Sequence, residues 1–265
     1  MSTGPGAPGA TAYGDLTRPP LRVRALQRAL APDGWRVEVL PAVGSTNAVV
    51  AERARAGEPA GLVVVAESQT AGRGRLARGW VSPPRAGLTL SVLVRPDLPP
   101  VRWPWLPLLA GLAVSTAVRE QAEIDAVLKW PNDVLVGGRK VCGVLAEVPQ
   151  TGAAVLGIGL NVTTREDELP VPTATSLALA GARTTDRDTL LRAVLRSLAA
   201  VLADADGSRA AYRERCSSLG RRVRLELPGS PAVEGVAEAV DDDGRLVVDG
   251  RAYGAGDVVH LRTTG

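Results

Sequence analysis

The chain contains no phenylalanine, and Trp and Tyr together supply only 3% of its residues. Leu, Val and Ala must therefore fill whatever core it builds. Small side chains bury less apolar surface each, so only close packing of sheets and helices makes up the difference. With 265 residues, 45% of them hydrophobic, there is material for one sizeable α/β domain and a small second module.

The formal charge of +3 and a pI near 9.2 are mildly basic. That fits a phosphate-bearing substrate but falls short of a nucleic-acid coat or a polybasic membrane anchor. Two cysteines, Cys142 and Cys216, are too few for a disulfide framework and point to a reducing cytoplasm. Residues 1–12 are rich in Gly, Pro, Ala and Thr without a signal-peptide pattern, and 1–20 reads as a flexible tail. No apolar run reaches the ~18 residues of a membrane helix.

Periodicity predicts a helix over 21–31, a strand over 35–40 and a helix over 45–57 that Ser45, Thr46 and Asn47 are placed to cap. A β-branched run at 62–66 predicts a buried strand, followed by a strand over 88–94 and an apolar helix over 106–120. Strand fragments at 127–130 and 134–136 flank Pro131, and Gly137-Gly138 makes a hairpin turn into a strand over 141–148. Another strand is expected over 155–162. Leucines and valines at helical spacing over 190–202 predict an amphipathic helix packed on the sheet. Beyond Gly220, short strands punctuated by Pro-Gly, Asp-Gly and Gly turns predict a small closed β-barrel.

Four segments carry chemistry. Gln69 precedes Gly72-Arg73-Gly74-Arg75 and Trp80 in a loop too polar for a core. Glycines let backbone N–H groups approach an anion, and guanidinium forks bind phosphate or carboxylate; a solvated basic loop would look similar. Lys129-Trp130-Pro131-Asn132-Asp133 puts an ammonium at a strand end and a carboxylate able to hold Mg²⁺ beside a nucleotide, although a polar turn would read the same way. Gly143-Val144-Leu145-Ala146-Glu147 and Gly157-Ile158-Gly159-Leu160-Asn161 alternate glycine with apolar residues, which leaves room for a flat ligand or marks bulges. Asn161 offers an amide that both donates and accepts. Ser45-Thr46-Asn47 can cap a helix or hold a neutral polar head group. His260 and the cysteines lack metal-ligand or catalytic spacing, and no nucleophile elbow, Walker loop or dinucleotide fingerprint is present.

In this order and spacing, the four segments resemble the biotin–protein ligase family from about Val43 to Val162. The resemblance implies an α/β (α+β) fold: a class II aminoacyl-tRNA synthetase-like mixed sheet with packed helices over 21–218, and a small C-terminal SH3-like barrel over 219–265. It implies an ATP-dependent ligase that activates biotin as biotinyl-5'-AMP and transfers it to a lysine of a biotin carboxyl carrier protein or domain. Ser45, Thr46, Asn47, Gln69, Gly72, Arg73, Gly74, Arg75, Lys129 and Gly143 would surround biotin. Arg75, Trp80, Asn132 and Asn161 would bind the nucleotide, Asp133 the Mg²⁺, and Lys129, Arg73 and Arg75 would carry the chemistry. Ala77 stands where the family's loop usually has a second glycine, which bears on how the loop closes. Because only 44 residues precede Ser45, a DNA-binding repressor domain is not expected, nor are nucleic-acid or membrane partners; a monomer or homodimer fits. A lipoate ligase would be expected to show a different glycine-rich signature with a histidine, whereas a nucleic-acid module would leave Lys129 to Asp133 without a purpose.

Overall fold

A computed structural model describes residues 17–150 and 152–261. Seven strands form one mixed sheet: β1 (Arg36–Leu40), β2 (Leu62–Ala66), β3 (Gly87–Val94), β4 (Ala126–Lys129), β5 (Asp133–Val136), β6 (Arg139–Gln150) and β7 (Ala153–Asn161). Their spatial order is β1-β2-β3-β7-β6-β5-β4; β1 and β2 run parallel and every other neighbouring pair is antiparallel.

Strand residues alternate between faces, and here the two faces differ. On the rear, Leu88, Leu90, Val92, Val144, Leu156, Ile158 and Leu160 join one core with helix α3 (Trp105–Ala122). Helix α4 (Arg187–Ala203) packs chiefly on α3 rather than on the sheet, a correction to the sequence reading. Because α3 is apolar almost all round, it can take the sheet on one side and α4 on the other. Helix α1 (Val23–Leu30) completes this layer with Leu26 and Leu30. On the front, α2 (Thr46–Arg55) covers one end of the sheet with Val50, Ala51 and Ala54 against Leu62, Val64, Leu93 and Val155.

Helix α5 (Ala205–Arg215) is not foreseen by periodicity, since Tyr212 is its one buried side chain. Tyr212 meets Trp105 edge-on, with ring centroids 5.6 Å apart. A second, antiparallel sheet follows: β8 (Arg222–Glu226), β9 (Val233–Val240), β10 (Leu246–Val248), β11 (Arg251–Tyr253) and β12 (Asp257–His260), in the order β11-β10-β9-β8-β12. The three-residue β11 was not anticipated. This sheet is tied to the first by indole donors: Trp130 Nε1 to Gly244 O at 3.0 Å and Trp105 Nε1 to Asp242 O at 2.9 Å. Among the described residues, no helix is long and apolar enough to cross a membrane.

Residues 1–16 of the expected tail lie outside the described residues, whereas 17–20 are fastened down. Arg18 is buried, pairs with Glu168 at 2.6 Å and donates to Thr163 O. Arg187 forms a 2.6 Å ion pair with Glu67, their side chains only 6% and 9% exposed, and also donates to Pro19 O. Removing one member of a buried pair strands the other. Arg187→Met is therefore expected to lower unfolding free energy by about 3–5 kcal/mol in urea titrations, with Glu67→Leu in the same chain restoring part of the loss.

Candidate active site

The strand register builds the site floor. Lys129 pairs with Asp133, Asp133 with Gly143 and Gly143 with Gly159, so these four residues form a row across β4, β5, β6 and β7 on the front face. Along β7 the same face presents Gly157, Gly159 and Asn161, while the intervening Ile158 and Leu160 go to the rear core.

At one end of the floor lies a buried polar cluster. Ser45, Thr46 and Asn47 are 7%, 2% and 4% exposed, too deep for surface caps. The Ser45 side chain does not cap α2. Gln69 takes that role from the loop, its Oε1 accepting Thr46 N–H at 2.7 Å and the Thr46 hydroxyl at 3.0 Å. The Ser91 hydroxyl from β3 lies 2.7 Å from Thr46 Oγ1 and 2.5 Å from Asn47 Oδ1. Asn47 Nδ2 donates to Glu147 at 2.6 Å, and the amide lies so close over Gly157 that a Cβ there would come within 2.2 Å of Asn47 Oδ1.

The Gly/Arg loop folds back on itself instead of hanging free. Trp80 N donates to Gly72 O at 2.9 Å and Gly74 N to Arg78 O at 2.7 Å. A Cβ on Gly72 would sit 2.3 Å from Trp80 O, so only glycine fits there. The left-handed residue of the turn is Leu76, at φ 53° and ψ 42°. The fold places Trp80 on the floor: a Cβ on Gly159 would meet its indole at 2.3 Å, and one on Gly143 at 3.3 Å. Thus the glycines do accommodate a flat ring, and the ring seated there is the chain's own.

The loop arginines separate. Arg73 reaches Glu147 at 3.3 Å, near the Asn47 cluster, and does not meet Lys129. Arg75 instead contacts Asn132 Oδ1 at 3.3 Å, Gly256 O at 3.3 Å and Asp257 at 3.4 Å, while Arg78 also pairs with Asp257. Asn132 is fixed in turn by donating to Val144 O at 2.8 Å. The Lys129 side chain makes no hydrogen bond or ion pair with a described residue; burial pulls its pKa below that of an ordinary lysine, Asp133 opposes this and Lys140 adds to it. Lys140 pairs with Asp133 at 2.6 Å and lies 5.9 Å from the Trp80 ring centroid. Four cations, Lys129, Lys140, Arg75 and Arg78, thus surround two carboxylates, Asp133 and Asp257. The surplus positive charge suits a phosphate-bearing ligand.

Asn161, 4% exposed, donates one Nδ2 N–H to Thr175 O at 2.9 Å, which leaves its second N–H and its Oδ1 available. Asp133 does not make a metal site by itself: it is already paired with an ammonium, and no group of three or more His, Cys, Asp or Glu suited to a metal occurs among the described residues. His260 Nε2 lies 3.1 Å from Ser218 Oγ, and burial, with the positive charges of Lys129 and Arg221, pulls its pKa down to about 4. Burial pushes the Cys142 thiol up to about 12, so it is inert.

Sequence reading did not assign roles to Ser91, Glu147, Lys140 or Asp257. Ser91 carried a signal, as a polar side chain in a mostly apolar strand, whereas Lys140 stands beside Arg139 at the start of β6 and carried none. Asp257 carried none, because only the docking of the second sheet brings it to the loop.

Residues 39–162 match the Biotin/lipoate A/B protein ligase family and residues 218–261 the Biotin protein ligase C terminal domain. The chain is 47% identical to the biotin--[acetyl-CoA-carboxylase] ligase of Mycobacterium tuberculosis over 94% of its own length and 98% of that protein's. It is 34% identical to the bifunctional ligase/repressor BirA of Escherichia coli, over 82% of this chain and 70% of that one. Among solved structures, the Aquifex aeolicus biotin protein ligase in complex with biotin and ATP superposes with a TM-score of 0.74 at 30% identity, covering 86% of this chain and 99% of that one. The chain belongs to the biotin–protein ligase family. It is a biotin–protein ligase enzyme.

A methyl group at Gly159 has no space while Trp80 is seated. Gly159→Ala is expected to lift the indole off the floor, which a red shift in tryptophan emission and increased acrylamide quenching would register.

Proposed function

We propose that the enzyme activates biotin as biotinyl-5'-AMP and transfers it to a lysine of a biotin carboxyl carrier protein or domain. The observation that carries this reading is the continuous front-face site, running from a neutral polar cluster at Gly157, over an aromatic seat at Gly159, to a surplus of cations at Lys129. The first suits the ureido head of biotin, the second a purine, and the third the phosphate between them. The Aquifex aeolicus neighbour is described with biotin and ATP and a Leishmania major neighbour with biotinyl-5-AMP, which supports the same ligands here.

In this reading, Ser45, Thr46, Asn47 and Gln69 hold the biotin head, with Gly72 and Gly74 allowing the lid to lie close and Arg73 closing that end. Trp80, Asn132 and Asn161 serve the nucleotide. The biotin carboxylate attacks the α-phosphorus of ATP and pyrophosphate leaves; Lys129 and Arg75 neutralise charge on the transferring group while the lid excludes water. The lysine amine of the carrier then attacks the acyl carbon and AMP departs. Mg²⁺ would enter with the triphosphate of ATP, with Asp133 as the carboxylate placed to hold it. The terminal sheet is read as an SH3-like barrel, the catalytic sheet as class II synthetase-like, and the setting as cytoplasmic, with the boundary near Ser218. We read the activity as ligation without repression; sequence-specific DNA retardation at physiological salt would refute that reading.

Biotin with MgATP is expected to raise the melting midpoint strongly by mass action, and lipoate with MgATP to leave it in place. Lys129→Ala should lose most transfer of labelled biotin to a carrier domain while melting as the wild type does. Because burial lowers the Lys129 pKa, its charge is present at lower pH and is lost earlier than usual as pH rises. The alkaline limb of the rate profile should therefore fall below the ordinary lysine range and move upward in Lys129→Arg.

A further inference from the structure

Two cations of the site, Arg78 and Lys140, are still without a role, and Arg78 is taken up by Asp257. Lys140 stands on the front face of β6, its side chain 34% exposed, with Nζ 2.6 Å from Asp133. Its Cε and Nζ would lie 3.0 Å from a Cβ on Gly143, so the missing side chain there is what lets the lysine lie along the floor beside Trp80. Lys129 faces the same carboxylate from the other side, being the register partner of Asp133. One carboxylate between two ammoniums leaves a charge uncompensated, and like charges at this spacing repel unless an anion joins them. Lys129 is partly buried and lies in the field of Asp257 and Arg78. Lys140 keeps 34% of its side chain exposed, so an anion can reach its ammonium from solvent.

We propose that Lys140 contacts the β- and γ-phosphates of ATP and neutralises the departing pyrophosphate. The proposal rests on the adenylation reading given above. In that step an oxygen of the biotin carboxylate forms a bond to the α-phosphorus, and the bond from that phosphorus to the bridging oxygen breaks. Pyrophosphate leaves with the electron pair, and the Lys140 N–H groups meet the charge that develops on it. The second step, attack of the carrier amine on the acyl carbon, involves no pyrophosphate and gives Lys140 nothing to do. Asp133 is then a positioning residue that holds the ammonium over the floor.

The test separates the two half-reactions in Lys140→Gln and Lys140→Arg. Pyrophosphate release from MgATP and biotin is measured first. Transfer from supplied biotinyl-5'-AMP to a carrier domain, with ATP omitted, is measured second. Lys140→Gln is expected to lose about a hundredfold in pyrophosphate release and to keep transfer from the supplied adenylate at the wild-type rate; Lys140→Arg should recover part of the loss. Equal losses in both half-reactions, or undiminished pyrophosphate release, overturn the role of Lys140 alone. Failure of the wild type to release pyrophosphate overturns the adenylation reading together with it.

Discussion

The structure depends on a row of missing side chains. Gly143, Gly157 and Gly159 lie on the front face of a sheet whose rear is packed by α3, with α4 behind it; Asn47 over Gly157 and Trp80 over Gly159 sit closer than a Cβ would allow, and Lys140 lies tight against Gly143. Asn47 rests on Gly157, Trp80 on Gly159, and Lys140 reaches along Gly143. Protein interiors are packed too tightly to absorb an extra methyl group under such contacts. The glycines therefore fix the depth at which a ring or an amide can meet the backbone. The apolar residues between them point rearward and keep the strand anchored in the core, so floor and foundation are built by the same strands.

Electrostatics divides the floor lengthwise. The Asn47 end is neutral overall, with Glu147 taking both the Asn47 amide and Arg73. The Lys129 end carries more cations than carboxylates, and one of those carboxylates, Asp257, belongs to the second sheet. The terminal module is thus part of the site: it supplies a counter-ion to two lid arginines and accepts the Trp130 indole proton at Gly244 O. The Lys129-to-Asp133 turn is fastened through Trp130 to the other sheet, which couples the position of Lys129 to the docking of β8 to β12.

Much of this was legible locally. The run Leu62–Ala66 is buried at every position, as a continuous β-branched strand should be, and the glycine-alternating strands fall where their spacing put them. Three things were not legible. Helix α5 has too little apolar face to show a period, because Tyr212 docks it through one aromatic contact. The N-cap of α2 comes from Gln69, 23 residues downstream of Thr46, so no local capping rule could find it. Arg73 and Arg75 look equivalent in sequence but go to opposite ends of the floor, Arg73 to Glu147 and Arg75 to Asp257, partners supplied by distant strands.

The sequence by itself determined where most strands lie along the chain, the two-face alternation of β7, the glycines of the floor and the identity of the charges brought to it. These follow from periodicity, backbone sterics and side-chain chemistry, all of which act over a few residues. Only the tertiary structure decided which carboxylate faces which cation, that Trp80 occupies the seat its own strands provide, and that Asp257 completes the lid. Those pairings span up to 182 residues of chain. Sheet register and module docking set them together, and neither is contained in any local pattern.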